Sequence, residues 1–448
     1  MNFLIMEVDM GNYVPLTEKD ISEMLEAIGV SSPDALFSDV PKKIKLKELN
    51  IPSGKSEQEV FEVMKSLASK NTVYDIILRG AGSYNHYIPA LVKSITSRSE
   101  FVTAYTPYQA EISQGILQAI FEYQTMVCIL TGMDVSNASV YNGASAAAEA
   151  VLMCRERDRN KAIILGMIRP DTLKTIKTYA NAQGMEILEM EANDTFVDLE
   201  KLNELMGENT ACVYIEQPGY YGEIYGVEKI AEKVHSNGAK FIVGCNPTSL
   251  ALLKSPGECG ADVAVGEGQP LGLPMAFGGP YLGFMSCTEK MMRKLPGRIV
   301  GETVDHDGRR AFVLTLQARE QHIRRERASS NICSNQALCA LTATIYLTSL
   351  GKEGFREVAK ACVSLSHYFA SQLQKLEGVE LQNKGEFFHE FVTIIPERSE
   401  EILRALAKNK ILGGLKLDSD RILWCVTETA TKESLDNVID IVRGVLCY

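Results

Sequence analysis

The chain has 448 residues, is 46% hydrophobic, and sets 46 Lys and Arg against 57 Asp and Glu, a formal net charge of −11. That is enough apolar material for a sizeable core and for two or three domains, while the acidic balance argues against general nucleic-acid binding, which needs a basic face. The 11 cysteines are an odd number and the six histidines are dispersed; buried reduced thiols are expected at Cys128, Cys154, Cys212, Cys245 and Cys333, with no disulfide framework and no metal site.

The start, MNFLIMEVDMGN, carries Glu7 and Asp9 behind a brief apolar run and matches neither a signal peptide nor a transit peptide. Nowhere does an apolar run approach the ~20 residues that span a bilayer. A cytoplasmic protein is expected. Residues 1–60 read as an arm. TEKDISEMLEAIG is a short helix with Thr17 placed to cap it. Lys42, Lys43, Lys45 and Lys47 read as a solvated face.

Residues 110–131 carry a helical stripe of Ile112, Ile116, Ile120, Tyr123, Val127 and Leu130 at spacings of three and four. From 162 onward, short apolar runs alternate with helical patterns. AIILG, EILEM, ACVYIEQP, KFIVG, ADVAVGE and YLGFMSC read as strands. Helices are expected at PDTLKTIKTYANAQG, near 198–206 and near 227–237. This pattern predicts an α/β fold, a mostly parallel sheet with helices on both faces. A buried helix is expected at 335–349 and a long connecting helix at 354–376. FVTIIP, a helix at 399–409, RILWCV and a helix at 433–446 then predict a small C-terminal α+β domain. The expected division is an arm (1–60), a large domain (61–350) and a small domain (351–448).

Three segments could carry chemistry. The turn Asn142, Gly143, Ala144, Ser145 opens an apolar helix. Free N–H groups and the helix dipole there suit an anion, and an ordinary helix cap explains the same residues. In YTPYQAEISQ, Thr106 to Gln109 match a capping box with proline at the first helical position. That leaves Tyr105, Tyr108 and Glu111, whose phenol and carboxyl groups suit a pocket and proton transfer. The glycine- and proline-rich loop 266–283 reads either as a ligand-approaching loop or as a long surface turn. Arg319, Arg324, Arg325 and Arg327, with Glu320 and Glu326, suit local ion pairs or an anion contact.

Residues 86–150 (HYIPALVKSITSRSEFVTAYTPYQ through VYNGASAAAEA) and 324–338 (RRERASSNICSNQAL) resemble the glycine-cleavage P-protein family, glycine decarboxylase. YVPLTEKDISEMLEAIGVSS, 13–32, resembles the start of that family, so the likeness covers nearly the whole chain. Length and ending resemble the separate N-terminal subunit found where the enzyme is split in two. The resemblance implies the type I fold of pyridoxal-phosphate enzymes, as in aspartate aminotransferase. It also implies a reaction in which glycine loses carbon dioxide and its aminomethyl group passes to the lipoyl arm of the H-protein.

Two departures qualify that picture. Asn246, in GCNPTSL, stands where an acid would keep the cofactor's pyridine nitrogen protonated. No lysine occurs between Lys254 and Lys290 to hold the aldehyde. The resemblance therefore implies that pyridoxal phosphate is held by a lysine-bearing second subunit, in an α2β2 heterotetramer. Tyr105, Tyr108, Gln109 and Glu111 would be contributed to the partner's site. Ser330 and Asn331 would order the interface wall, and Asn142 to Ser145 would be a vestigial phosphate turn. A non-catalytic scaffold that stabilises the partner is the alternative.

Overall fold

The computed structural model describes residues 16–46, 50–276 and 278–447. The readings that rest on the first fifteen residues, including the absence of a leader and the resemblance at Tyr13, lie outside that range, as does Lys47. Among the described residues no helix is long and apolar enough to cross a membrane. The chain divides into two compact units, Met1–Thr72 and Val73–Tyr448.

In the first unit, helix α1 (Glu18–Ile28) starts as expected. The Thr17 side chain accepts from the Asp20 N–H, and Asp20 accepts from the Thr17 N–H at 2.7 Å. Gly29, at φ +80°, closes the helix in the left-handed conformation that glycine tolerates best. Helix α2 (Glu57–Ala68) repeats the box with Ser56 and Glu59. Lys42 and Lys43 are solvated, and Lys45 pairs with Asp34 at 2.6 Å.

The second unit is built on a seven-stranded sheet. Its strands are β1 (Val135–Ser136), β2 (Lys161–Leu165), β3 (Glu186–Met190), β4 (Thr210–Gln217), β5 (Lys240–Cys245), β6 (Val263–Glu267) and β7 (Gly283–Cys287). The order is β1-β7-β6-β5-β4-β2-β3. β2 to β6 are parallel, and β7 turns back antiparallel to β6 and β1. Every residue of β2 is buried, as expected of a parallel strand covered on both faces. Successive side chains serve opposite faces. Ile164 joins one apolar cluster with α4 (Gly143–Met153) and α5 (Pro170–Ala182), while Ile163 and Leu165 join another with α6 (Leu199–Leu205) and α7 (Val227–Ser236). The doubly covered sheet matches the α/β expectation.

The predicted stripe at 110–131 becomes helix α3, but it begins at Gln114, and its buried face is Leu117, Ile120, Tyr123, Gln124, Val127 and Thr131. Ile112 is 81% exposed. The Thr106 capping box does not form. The chain passes 106–113 through a tight turn and one 3-10 turn (Ala110–Ile112), and α3 (Gln114–Thr131) follows Ser113, whose side chain makes no capping bond. Pro107, instead of opening a helix, is buried in the irregular stretch ahead of the 3-10 turn. A hairpin, β8 (Ile299–Val304) and β9 (Arg310–Thr315), packs on α3 through two glutamine clamps. The Gln114 amide exchanges two bonds with the backbone of Phe312 (2.8 and 2.9 Å), and Gln124 does the same with Val300 (2.9 and 2.9 Å).

Helix α8 (Ala337–Leu373) joins the two predicted helices into one element broken at Gly351, whose φ of +61° and ψ of −177° are not helical. It leads to the four-stranded antiparallel sheet β10 (Glu380–Leu381), β11 (Glu390–Ile394), β12 (Leu415–Lys416) and β13 (Arg421–Cys425), with α9 (Ser399–Lys408) and α10 (Lys432–Leu446). Trp424 is fully buried there, edge-on to Phe369 at 5.3 Å, and its indole N–H donates to Thr393 Oγ1 at 2.8 Å. Of the cysteines expected to be buried, Cys154, Cys212 and Cys245 are; Cys128 is half-buried and Cys333 is exposed, because its segment lies on the surface ahead of α8.

Candidate functional site

Parallel strands bring their carboxyl ends to one side of the sheet, where doubly wound folds place ligands. Here the ends of β4, β5 and β6 meet the N-terminus of α4 around a cavity of only about 70 Å³. Small-molecule sites are usually ~300–1,000 Å³. Its walls are charged. The guanidinium of Arg169 reaches Asp171 at 2.6 Å and the Gly82 carbonyl at 3.3 Å, while its backbone N–H donates to Glu216 at 2.9 Å. Burial opposes the charge on Arg169, but Asp171 and Glu216 outweigh it and hold the group firmly protonated. Glu390 accepts from the Ala81 N–H at 2.6 Å and the Tyr84 hydroxyl at 2.8 Å. Burial nevertheless pushes its carboxyl up to about 7.

The turn 142–145 is a capped helix start. Asn142 Oδ1 accepts from the Ser145 N–H at 2.9 Å, and Gly143, Ala144 and Ser145 are buried. The N–H of Gly143 donates to the Glu267 carboxylate at 2.9 Å. The same carboxylate accepts from the N–H groups of Gln269 and Leu282, at 3.0 and 2.9 Å. The anion seat read from the sequence is thus filled by the chain's own side chain. Asn246 caps the turn after β5, its Oδ1 accepting from the Thr248 N–H at 2.9 Å, and its amide N lies 3.3 Å from His389 Nε2. Burial, then His86, holds His389 well below the usual imidazole range and so neutral. A cavity this small, a seat already holding a carboxylate, an amide at Asn246 and the missing lysine do not fit pyridoxal phosphate.

Tyr105, Tyr108 and Gln109 come together elsewhere. They line a groove of about 750 Å³ with Phe101, Ile112 and Ile116, sharing no wall residue with the small cavity. Glu111 lies outside its lining, exposed on the 3-10 turn. Tyr105 is 85% exposed and Tyr108 57%, unusual for aromatic rings. Beneath Tyr108 lies Arg298, buried at the mouth of the hairpin, its guanidinium 5.2 Å from the ring centre. It donates to the Tyr108 hydroxyl at 3.2 Å, Asn335 Oδ1 at 3.2 Å and Ser334 Oγ at 3.4 Å. Sequence reasoning missed Arg298 and Glu267, since nothing local to either residue marks its distant partner. Ser330 caps its own turn through the Ile332 N–H, and Asn331 is exposed. Of the four arginines, Arg319 and Arg324 donate to backbone carbonyls and Arg327 approaches Glu326 at 3.9 Å.

Residues 11–442 match the family described as glycine cleavage system P-protein. The chain belongs to that family. A P-protein relative from Desulforamulus reducens, named "Probable glycine dehydrogenase (decarboxylating) subunit 1", is 48% identical over 434 residues, 95% of this chain and 97% of its own length. One of the same name from Moorella thermoacetica is 48% identical over 97% of this chain and 99% of its own length. A crystal structure of glycine decarboxylase (P-protein) in inhibitor-bound form superposes with a TM-score of 0.91 at 40% identity, covering 97% of this chain and all of that one. A sphingosine-1-phosphate lyase from Burkholderia pseudomallei, at 13% identity and a TM-score of 0.66, shares the fold alone. The P-protein fold is the type I fold of pyridoxal-phosphate-dependent enzymes that the resemblance implied.

Proposed function

We propose that this chain is subunit 1 of a glycine dehydrogenase (decarboxylating) of the glycine cleavage system, and that it works as the cofactor-free half of a shared active site. The relatives of this name span almost its whole length, and a subunit 1 requires a second subunit. We assign pyridoxal phosphate to that lysine-bearing partner, in an α2β2 assembly that passes the aminomethyl group of glycine to the lipoyl arm of the H-protein. The observation that carries this reading is the pairing of a self-filled cavity at the strand ends with an open aromatic groove elsewhere.

When bound to the partner, the cofactor supplies the electron sink for decarboxylation. This chain's residues supply position. Tyr105 and Tyr108 present phenol hydroxyls and Gln109 an amide toward the partner's substrate, Glu111 supports that segment from outside the groove, and Arg298 fixes the Tyr108 ring. Docking of the groove on the partner would shed water from these polar groups and strengthen each contact. Ser330 and Asn331 are assigned to the interface wall, and the arm (1–60), large domain (61–350) and small domain (351–448) are kept as functional divisions. Co-expression with the partner tests the reading. Tyr108→Phe and Gln109→Ala should leave the complex assembled and lower glycine decarboxylation. Full activity in both variants would leave only the scaffold role.

A further inference from the structure

Three metal-ligating side chains from distant segments meet inside the fold. His86 stands ahead of the helix Ala90–Thr96, Cys362 on α8 and Glu428 just past β13. None of them lines the small cavity or the aromatic groove. His86 Nδ1 lies 2.7 Å from Glu428 Oε2, and the Cys362 thiol donates to the same oxygen at 3.5 Å. One nitrogen, one sulfur and one oxygen thus lie within 4.8 Å of one another. The His86 and Glu428 side chains are only 2% and 14% exposed, and Cys362 is fully buried. No spacing in the sequence points to this cluster, which the fold alone assembles.

A buried carboxylate is normally paired with a permanent cation or bound to a metal. Among the described residues Glu428 pairs with no lysine or arginine, and its one charged partner is the His86 ring. Its second oxygen accepts from the Tyr87 N–H at 2.8 Å, which leaves Oε2 to the other two groups. The Nε2 of His86 is buried and has no partner among the described residues. It is therefore free to carry the ring proton and leave the Nδ1 lone pair to the cluster. We propose that His86, Cys362 and Glu428 form a zinc site that ties the segment 84–89 to α8 and to the small domain. Imidazole, thiolate and carboxylate are zinc donors, whereas a thiolate disfavours magnesium and calcium. On binding, the Cys362 proton leaves to solvent and the His86 ring holds its one proton at Nε2. One thiolate and one carboxylate then cancel the charge of the ion, so the buried complex is neutral. Tetrahedral zinc keeps its donors about 3.3–3.8 Å apart, a spacing that shifts of about 1 Å would reach here. A water molecule would complete the tetrahedron.

The site is independent of the proposed subunit role, since its readouts are metal content, spectrum and stability. The full-length chain, with its exposed thiols removed as Cys333→Ser and Cys447→Ser, is stripped with a chelator. It is then titrated with zinc and with cobalt(II), whose thiolate complexes absorb strongly. Zinc should bind one to one and raise the melting temperature, and cobalt should show the sulfur-to-metal charge-transfer band of one thiolate. Cys362→Ser should abolish that band, while His86→Gln and Glu428→Gln should each weaken zinc binding at least about tenfold. Zinc affinity unchanged by all three substitutions would mean an adventitious ion only and would overturn the site. Cobalt uptake without the thiolate band, or no saturable zinc binding, would overturn it too. Both of these are read with all three ligands intact, so neither depends on a ligand variant folding.

Discussion

The Arg298 guanidinium lies 5.2 Å from the centre of the Tyr108 ring and donates to the same residue's hydroxyl at 3.2 Å. One buried cation thus fixes both the plane and the tip of a half-exposed phenol. Its other contacts, Ser334 and Asn335, are also neutral.

If Arg298 acts through Tyr108, the two residues should fail together. Lysine keeps the charge and loses the planar fork. Cation–π and hydrogen-bond losses of about 1–2 kcal/mol correspond to roughly a tenfold fall in kcat of the assembled complex. A double-mutant cycle of Arg298→Lys with Tyr108→Phe should give a double variant no worse than Tyr108→Phe alone. Additive losses would assign Arg298 a separate role.

The glutamine clamps make a stability prediction. Gln124→Met keeps the volume but strands the N–H and C=O of Val300, which are buried with Gln124. Leaving two such groups unpaired should cost about 2–4 kcal/mol. Denaturant midpoints of the purified chain measure this, and an unchanged midpoint would show that water replaces the amide.

Glu390 makes a pH prediction. Its carboxyl is raised from 4.5 to about 7, first by burial. Between those values the folded chain binds more protons than the unfolded one, so stability falls as pH rises. The contribution is fully present below about pH 4.5 and is lost as pH passes through 7. Glu390→Gln should flatten the fall in unfolding free energy between pH 5 and 8, by at most about 3 kcal/mol. A slope equal to wild type would show that Glu390 is ionised throughout.

Much of the scaffold could be read from the chain itself. Apolar runs such as AIILG and KFIVG, spaced by amphipathic helices, are local signals of a parallel sheet, and β2 and β5 lie where those runs stand. The break between the helices at 335–349 and 354–376 falls on Gly351, a residue that tolerates the required φ. The hairpin 299–315 carries a weaker signal, because Gly301, Glu302 and Thr303 interrupt its apolar pattern. Local rules also misled at Thr106, where a capping-box pattern met a buried Pro107 and a tight turn in place of a helix start. The candidate site was legible only as composition. Gly143 meets Glu267 across 124 positions and Tyr108 meets Arg298 across 190, and no periodicity reaches that far. Topology alone makes those pairs.

The most direct test of the shared-site account is glycine–bicarbonate exchange with added pyridoxal phosphate and H-protein, measured on this chain alone, on the lysine-bearing partner alone and on the two together. Exchange should appear only with both chains present and should fall at least tenfold when this chain carries Tyr108→Phe. Exchange by this chain without its partner would contradict the account.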